Sequence, residues 1–261
     1  MQGIDSSVPH IARVYDYWLG GKDNFIADRE LAEEIIAVYP NIVFSVRANR
    51  EFLVRTVRFL VSECGIRQFL DIGTGIPTAN NTHEVAQRLE PSSRIVYVDN
   101  DPIVLTHAQA LLRSHPDGVC DYIDADLNGP AAILAAAART LDFSQPVAVM
   151  LIAAIHFVLD DDAARDIIAT LMAACPPGSY LAITHAASDI NPAQVSEMTR
   201  RLNESALAEK RITRDRAGVT RLFGGCELVE PGVVRVPEWR PESELDAKTP
   251  SGLWGGVAWK G

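Results

Sequence analysis

Cysteine is scarce in this sequence of 261 residues, and its spacing argues against both a structural zinc site and a disulfide framework. The four cysteines stand at positions 64, 120, 175 and 226, with no CxxC pair and no cysteine–histidine pair nearby. A structural zinc site is built from closely spaced thiols and imidazoles, and a disulfide framework from a cysteine-rich chain. We therefore expect free thiols in a reducing compartment and no metal site.

Long apolar runs and an excess of positive charge are also missing. No window holds about 18 apolar residues without a charge, so no membrane-spanning helix is expected. The first residues, MQGIDSSVPHIARVYDYWLGG, lack the basic start and apolar core of a secretory signal. Lysine and arginine number 24 against 34 acidic residues, a net charge of −10. Nucleic-acid binders gain affinity from basic surfaces, so we expect no nucleic-acid partner for this acidic chain. Because neither a membrane span nor a secretory signal is found, we expect a cytoplasmic protein without a membrane partner.

Most of the chain alternates short apolar runs with helical patterns. Five runs predict strands followed by helices, namely RQFLDI, RIVYVD, DYIDAD, PVAVMLIAAIHFV and GSYLAITHA. This alternation is typical of an α/β fold with a doubly wound parallel sheet. The tail segments RLFGGCELVEPGVVRV and LWGGVAWKG indicate two further strands.

The first 45 residues have a different character. The segment ARVYDYWLGGKDNF places three aromatic residues around a Gly-Gly pair, and DRELAEEIIAVYP has apolar residues at helical spacing. A segment of about 45 residues can barely bury a core of its own. We therefore predict a helical lid, residues 1–45, in the same domain as residues 46–261. The alternative is that its aromatic side chains are ordinary packing anchors.

The stretch FLDIGTGIPT joins a buried strand to a glycine turn. Gly73 and Gly75 let the backbone turn sharply and approach a ligand without a Cβ in the way. A dinucleotide loop would carry a third glycine near Pro77 and would hold pyrophosphate there. Asp71 would repel that pyrophosphate but attract the cationic amino end of S-adenosylmethionine. The loop, with Thr74 included, therefore favours the methyl donor over NAD.

Acidic residues also follow the next two strands. Asp99 ends the second strand, at a distance from Gly75 that suits a carboxylate bound to two ribose hydroxyls. The alternative for Asp99 is a charge at a helix N-terminus. Asp126 follows the third strand and would accept a hydrogen bond from the adenine amino group, unless it is a turn or cap residue. Their neighbours Asn100 and Leu127 complete the predicted cofactor site.

Three long motifs carry a resemblance to a known family. In chain order they are ARVYDYWLGGKDNF, FLDIGTGIPTANNTHEVAQ and RIVYVDNDPIVL. With them the sequence resembles, over nearly its whole length, the actinobacterial S-adenosyl methyltransferase family first described as a domain of unknown function. The resemblance implies a class I methyltransferase fold, Rossmann-like, with a seven-stranded and mostly parallel sheet whose last strand is antiparallel. It also implies S-adenosylmethionine as cofactor and S-adenosylhomocysteine as product. It implies no particular acceptor.

The end of the fourth strand, LIAAIHFVLDD, would border the transferred methyl group in such a fold. The resemblance implies that Ala153 lines this position and that His156 follows it. A histidine there suits a general base near neutral pH, although His156 has the alternative of capping or orienting the next segment. Tyr15 of the predicted lid offers an aromatic face to a sulfonium. We predict His156 and Tyr15 as the catalytic residues.

These features together predict a methyltransferase that acts on a small-molecule acceptor by in-line transfer inside a lidded pocket. Two other hypotheses stay open. One is an NAD-linked oxidoreductase, and the other is a non-catalytic protein that binds S-adenosylmethionine or its product and regulates a partner. The oligomeric state, monomer or homodimer, is also left open.

Overall fold

A central sheet of eight strands organises the computed structural model, which describes residues 5–104, 106 and 113–261. The strands are β1 Gln68–Ile72, β2 Arg94–Asp99, β3 Val119–Asp124, β4 Ala148–Ile152, β5 Tyr180–Ala186, β6 Glu227–Leu228, β7 Val234–Arg235 and β8 Leu253–Trp259. Their order is β3-β2-β1-β4-β5-β8-β6, with β7 also paired to β8. Strands β1 to β5 are parallel and β8 runs antiparallel to β5. This confirms the predicted sheet and its reversed last strand.

The predicted sixth strand is divided in two, which is why the sheet has eight strands rather than seven. β6 pairs with the end of β8 and β7 with its beginning, and both pairings are antiparallel. Between them the chain turns, with the Gly232 N–H donating to the carbonyl oxygen of Val229 at 2.8 Å. Gly232 has a φ of 82°, which favours glycine, so this turn interrupts the strand.

Helices cover both faces of the sheet. They are α1 Ile11–Leu19, α2 Ile26–Val38, α3 Ile42–Ser62, α4 Thr82–Leu89, α5 Pro130–Ala137, α6 Asp161–Ala173, α7 Pro192–Glu204, α8 Arg216–Arg221 and α9 Glu244–Ala247. The spacing of Asn81 and Glu84 in the sequence predicts a capping box, which is present at the start of α4. The segment PIVLTHAQALLRS, residues 102–114, also predicts a helix, but most of it lies outside the described residues.

Successive side chains of each inner strand enter different cores because a strand alternates faces. In β1, Leu70 and Ile72 pack with β2, α5 and α6, whereas Phe69 packs with α3 and α4. Asp71 shares the face of Phe69 and is therefore directed toward α3 and α4. Polar residues in a buried strand are unusual, so this placement marks Asp71 as a residue with a specific task.

The N-terminal helices share a third cluster of buried side chains with other helices of the domain. Side chains of α1 and α2 pack with the beginning of α3 and with α7, where Trp18, Ile35 and Met198 are among the buried residues. α3 starts at Ile42 and continues across the predicted boundary between residues 45 and 46. The segment is thus packed on the main domain, and its action as a lid stays a prediction.

Trp239 anchors the C-terminal segment to α3. It is fully buried, with ring centroids 5.3 Å from Phe52 and 5.7 Å from Phe59. The guanidinium of Arg55 donates to the carbonyl oxygens of Trp239 (3.0 Å) and Val236 (2.8 Å). Both the ring and the backbone of this segment are therefore held against α3.

Replacement of Trp239 by alanine should lower the free energy of unfolding by about 3–5 kcal/mol, because it removes a large buried side chain and leaves a cavity. Chemical denaturation followed by circular dichroism measures the loss. Trp259→Ala is the matched control, since that ring is 38% exposed, and it should cost under about 1 kcal/mol. Equal losses in the two variants would contradict the anchoring role of Trp239.

Candidate active site

A cavity of about 510 Å³ opens at the carboxyl ends of β1, β2 and β4. Ligands of open α/β sheets bind at this edge. The structure brings all the predicted site residues together in the wall of this cavity: Tyr15, Asp71, Gly73, Thr74, Gly75, Pro77, Asp99, Asn100, Asp126, Leu127, Ala153 and His156. Residues of α1, α3 and α7 close it from the other side.

The two glycines after β1 serve different purposes. Gly73 has a φ of 75°, and a Cβ on it would lie 2.6 Å from the Cβ of Ala154, so the loops after β1 and β4 could not approach as they do. Gly75 has a φ of 64°, but a Cβ there would meet nothing within 4 Å. Gly73 is therefore needed for packing, while Gly75 permits the turn and leaves its backbone open toward the cavity.

Asp99 connects this glycine loop to β2. Its Oδ2 accepts a hydrogen bond from the Gly75 N–H at 2.8 Å, and its Oδ1 accepts one from the Asp101 N–H at 3.0 Å. Burial raises the pKa of Asp99, and the two backbone donors oppose that shift. The alternative role, capping of the next helix, belongs to Asp101 rather than to Asp99. The Oδ1 of Asp101 accepts a hydrogen bond from the Ile103 N–H at 2.8 Å. Contact of Asp99 with a ribose stays a prediction.

The position of Asp126 is compatible with both interpretations, a turn residue and a ligand contact. Its Oδ1 accepts hydrogen bonds from the backbone N–H and from Nδ2 of Asn128, both at 2.8 Å, which makes it a turn residue. It is also exposed at the cavity wall beside Leu127. The turn role is compatible with a ligand contact because it uses one of the two carboxylate oxygens.

Asp71 is a buried acid of the cavity wall, at 4% exposure. Its Oδ2 accepts a hydrogen bond from Oγ1 of Thr82 at 2.6 Å. Burial raises the pKa of Asp71 to about 6, although the Thr82 bond and the positive charge of Arg50 act in the opposite direction. Thr82 was missed in the sequence. Its signal was a hydroxyl at the first position of α4, directly after the capping Asn81.

A strained residue ends β4. Ala153 has a φ of 57°, a left-handed conformation that costs a non-glycine residue about 1–3 kcal/mol. Its N–H donates to Oγ1 of Thr184 at 2.9 Å, and that hydroxyl donates to Oδ1 of Asn49 at 2.7 Å. Nδ2 of Asn49 in turn donates to the Tyr15 hydroxyl at 3.0 Å, and that hydroxyl lies 3.3 Å from the Val46 carbonyl. This chain of hydrogen bonds links α1 to the end of β4.

His156 lies in a short 3-10 turn, Ile155–Phe157, and is buried. Burial, followed by the nearby charges of Arg211 and Arg214 and by His185, lowers the pKa of His156 well below its usual value. Among the described residues, its Nδ1 has no hydrogen-bond partner. The imidazole is therefore neutral at pH 7 and a weak proton acceptor.

His185, near the end of β5, does not line the cavity. Arg214 Nη1 lies 2.7 Å from its Nε2 and can only donate, so Nδ1 carries the proton and donates to the Ala186 carbonyl at 2.9 Å. Burial, and to a lesser extent the charge of Arg214, lowers the pKa of His185 to about 4. Its contacts indicate a packing role.

His10 bridges three segments at the cavity wall. Its Nδ1 lies 2.9 Å from Oδ2 of Asp101, and its Nε2 lies 3.6 Å from Oε1 of Glu209. Although burial alone would lower the pKa of His10, its contacts with Asp101 and Glu209 outweigh that effect and raise it to about 9. Nδ1 is also 3.3 Å from the Ala12 N–H. A charged ring can only donate, so the Asp101 contact is the one that applies at neutral pH.

The described residues contain neither a candidate membrane-spanning helix nor a candidate metal site. None of the helices there is both long and apolar enough to cross a membrane. No group of three or more histidine, cysteine, aspartate or glutamate side chains is arranged to hold a metal ion in the same part of the chain.

Comparison with known proteins identifies close relatives. A family model described as S-adenosyl methyltransferase matches residues 1–261. A DUF574 family protein from Streptomyces avermitilis MA-4680 is 44% identical, with 99% of this chain and 100% of that chain covered and a TM-score of 0.94. A candidate methyltransferase from Thermobifida fusca YX is also 44% identical, with 99% and 97% covered and a TM-score of 0.90. No curated protein matches the chain.

A more distant structure shares the fold alone. It is a SAM-dependent methyltransferase from Methanosarcina mazei, 14% identical, with 77% of this chain and 96% of that chain covered and a TM-score of 0.51.

The sheet order and the glycine loop at its edge define a class I methyltransferase. The chain belongs to the S-adenosyl methyltransferase family, whose model spans all of it. The protein is therefore an S-adenosylmethionine-dependent methyltransferase, as the three sequence motifs predicted, and its cofactor is S-adenosylmethionine rather than NAD.

Donor binding should weaken as the pH falls below about 6, because Asp71 then takes up a proton. If Asp71 contacts the amino group of the donor, as the sequence predicts, only its ionised form attracts that group, so each further pH unit should cost up to about tenfold in affinity. Titration calorimetry with S-adenosylhomocysteine from pH 8 to pH 5 measures this. Asp71→Asn should bind weakly throughout and should lose the step near pH 6.

Asp124→Asn is the control for that experiment, since Asp124 is an exposed acid at the end of β3. Its profile should follow that of the wild type. A wild-type affinity that stays constant down to pH 5 would show that Asp71 does not carry the contact.

His10 should stabilise the protein in a pH-dependent way. Its pKa in the folded protein, about 9, is above that of an unfolded histidine, about 6.5. The contribution is therefore fully present below about pH 6.5 and is lost as the pH rises through about 9. The Tm of the wild type should exceed that of His10→Gln at pH 6, and the difference should vanish near pH 10 by calorimetry.

The exposed His115 provides the matched variant, His115→Gln, which should leave the pH profile of Tm as in the wild type. If the Tm difference for His10→Gln were the same at every pH, the charged bridge would not be its source.

Proposed function

We propose that this methyltransferase transfers the methyl group in line to a small-molecule acceptor, inside a pocket over which the N-terminal helices act as a lid. The observation that carries the proposal is the cavity at the ends of β1, β2 and β4, which residues of α1 and α7 also line. A cavity of this volume suits a small ligand better than a nucleic acid.

The residues of the cavity fit the donor at each of its parts. The open backbone at Gly75 allows close approach, and Asp99 and Asp126 offer carboxylate oxygens to ribose and adenine. Asp71 offers a negative charge to the amino end, with Gly73, Thr74, Pro77, Asn100 and Leu127 lining the space between. When bound, the donor supplies a methyl group on a sulfonium, which an acceptor atom displaces in line.

At the reaction end the chain supplies alignment and a dry environment. Ala153 is fixed by Thr184, and the neutral His156 offers its unpaired Nδ1 as a hydrogen-bonding group to an acceptor. Tyr15 is also neutral, because burial raises the pKa of its hydroxyl. With no strong base at this end, we propose catalysis by proximity, orientation and exclusion of water.

The N-terminal segment contacts the cavity at two places. Tyr15 reaches Asn49, which is bonded to the Thr184 that fixes Ala153. His10 reaches Asp101, next to the predicted ribose contact. The lid would thus touch both the donor end and the reaction end, which favours a role in closing the site over a role in packing alone.

The proposal is tested by binding and by transfer. S-adenosylhomocysteine should bind the wild type in calorimetry, and Asp99→Ala should weaken it by about tenfold or more, since it loses a charged hydrogen-bond acceptor. Labelled S-adenosylmethionine incubated with a cell extract separated by size should label compounds in the small-molecule fraction. Tyr15→Phe should lower that labelling with little change in donor affinity.

Tyr17→Phe is the matched control, because Tyr17 lies on the same helix and its hydroxyl contacts Glu33 rather than the cavity network. It should transfer label at the wild-type rate. Label found only in protein or nucleic acid would contradict the small-molecule acceptor, and failure of S-adenosylhomocysteine to bind would contradict the site itself.

A further inference from the structure

Arg211 is a buried cation that forms no ion pair with any of the described residues. Its side chain lines the cavity and is only 8% exposed. Within the part of the chain that the structure describes, Nε and Nη2 donate to no acceptor, and no carboxylate lies within ion-pair distance. A buried charge is ordinarily paired, because leaving water without a partner is costly. Burial lowers the pKa of Arg211 to about 10, although the nearby charge of Glu209 acts in the opposite direction, and Arg211 stays charged at neutral pH.

The position of Arg211 does not depend on its guanidinium. Its backbone N–H donates to Oδ1 of Asn203 at 2.9 Å, and its carbonyl accepts from Nδ2 of the same residue at 2.8 Å. The next residue, Ile212, donates its N–H to the His156 carbonyl at 2.9 Å. These backbone contacts therefore place Arg211 at the His156 end of the cavity. Its guanidinium is not needed to hold the segment in this position.

Much of the wall around this charge is apolar, although Glu209 and His156 also line it. The guanidinium lies over the ring of Phe157, 5.2 Å from its centroid. Leu159, Met198 and Leu202 line the same cavity. An apolar pocket with one fixed cation is complementary to an apolar molecule that carries one anionic group.

The donor has its own charged contacts elsewhere. Arg50 is close enough to Asp71 to lower the pKa of that carboxyl, whereas Arg211 acts on His156. The amino-acid end of S-adenosylmethionine is therefore provided for at the Asp71 side, and Arg211 stands at the opposite, acceptor side.

We propose that the methyl acceptor is an apolar small molecule bearing a carboxylate or phosphate, and that Arg211 binds this anionic group. The inference rests on the proposed function, since it names the substrate class of the same site. Arg211 would be a specificity-determining residue that orients the acceptor without taking part in a proton transfer.

Benzoate and its neutral isostere benzamide serve as probes in titration calorimetry, each with and without saturating S-adenosylhomocysteine. Benzoate should bind the wild type at least about tenfold more tightly than benzamide, because only benzoate forms the charged hydrogen bonds. Arg211→Gln should abolish that preference and Arg211→Lys should keep part of it. Both should bind S-adenosylhomocysteine within about threefold of the wild type.

Arg200→Gln is the control, as the same substitution at an exposed arginine of α7, and should keep the preference for benzoate. The Tm of Arg211→Gln should change little, since the guanidinium forms no ion pair among the described residues and contributes a contact over the Phe157 ring. Equal binding of the two probes, or a preference that survives in Arg211→Gln, would overturn the proposal. So would a tenfold loss of S-adenosylhomocysteine affinity in Arg211→Gln, which would assign the charge to the donor's carboxylate.

The arm without S-adenosylhomocysteine separates this proposal from the proposed function. If the wild type failed to bind S-adenosylhomocysteine but bound benzoate through Arg211, the anion site would stand and the donor site would fall. If S-adenosylhomocysteine bound and benzoate did not, the reverse would hold.

Discussion

The close approach of the loops after β1 and β4 is the constraint on which the site depends. The two strands are parallel neighbours, so both loops emerge at one edge of the sheet. Gly73 and Ala154 then meet so closely that any side chain at position 73 would force them apart. Because they meet, Asp71 and Asp99 on one side and His156 on the other line the same cavity.

The strain at Ala153 gives the N-terminal helices a part in this arrangement. A left-handed alanine persists only where surrounding contacts hold it. Here Thr184 holds its N–H, and Thr184 is itself held by Asn49, which also bonds to Tyr15. The same hydrogen bonds that fix the end of β4 therefore end on α1. A shift of α1 would therefore alter the conformation at the end of β4. This favours the hypothesis that the N-terminal helices both cover the cavity and shape it.

The features that could be predicted from the sequence are those with a local signature. Strand patterns, the glycine turn, the acids at strand ends and the capping box at Asn81 each lie within a few residues, so the fold and cavity wall followed from them. Asn49 and Thr184 could not be predicted in this way, because they meet across 135 positions of the chain. Arg211 was missed because an isolated arginine in a polar stretch has no pattern, and its meaning comes from burial without a partner.

The distribution of charge within the cavity relates these findings to catalysis. One end carries the buried Asp71 and the half-buried Asp99, and the other carries Arg211. In a poorly solvated space such charges act strongly because water does not screen them. On the proposed function, a cationic donor and an anionic acceptor would each have one favourable orientation, with their charged ends apart and their reacting atoms between. Alignment of that kind lowers the barrier to an in-line reaction without a base, consistent with a neutral His156 beside the strained turn.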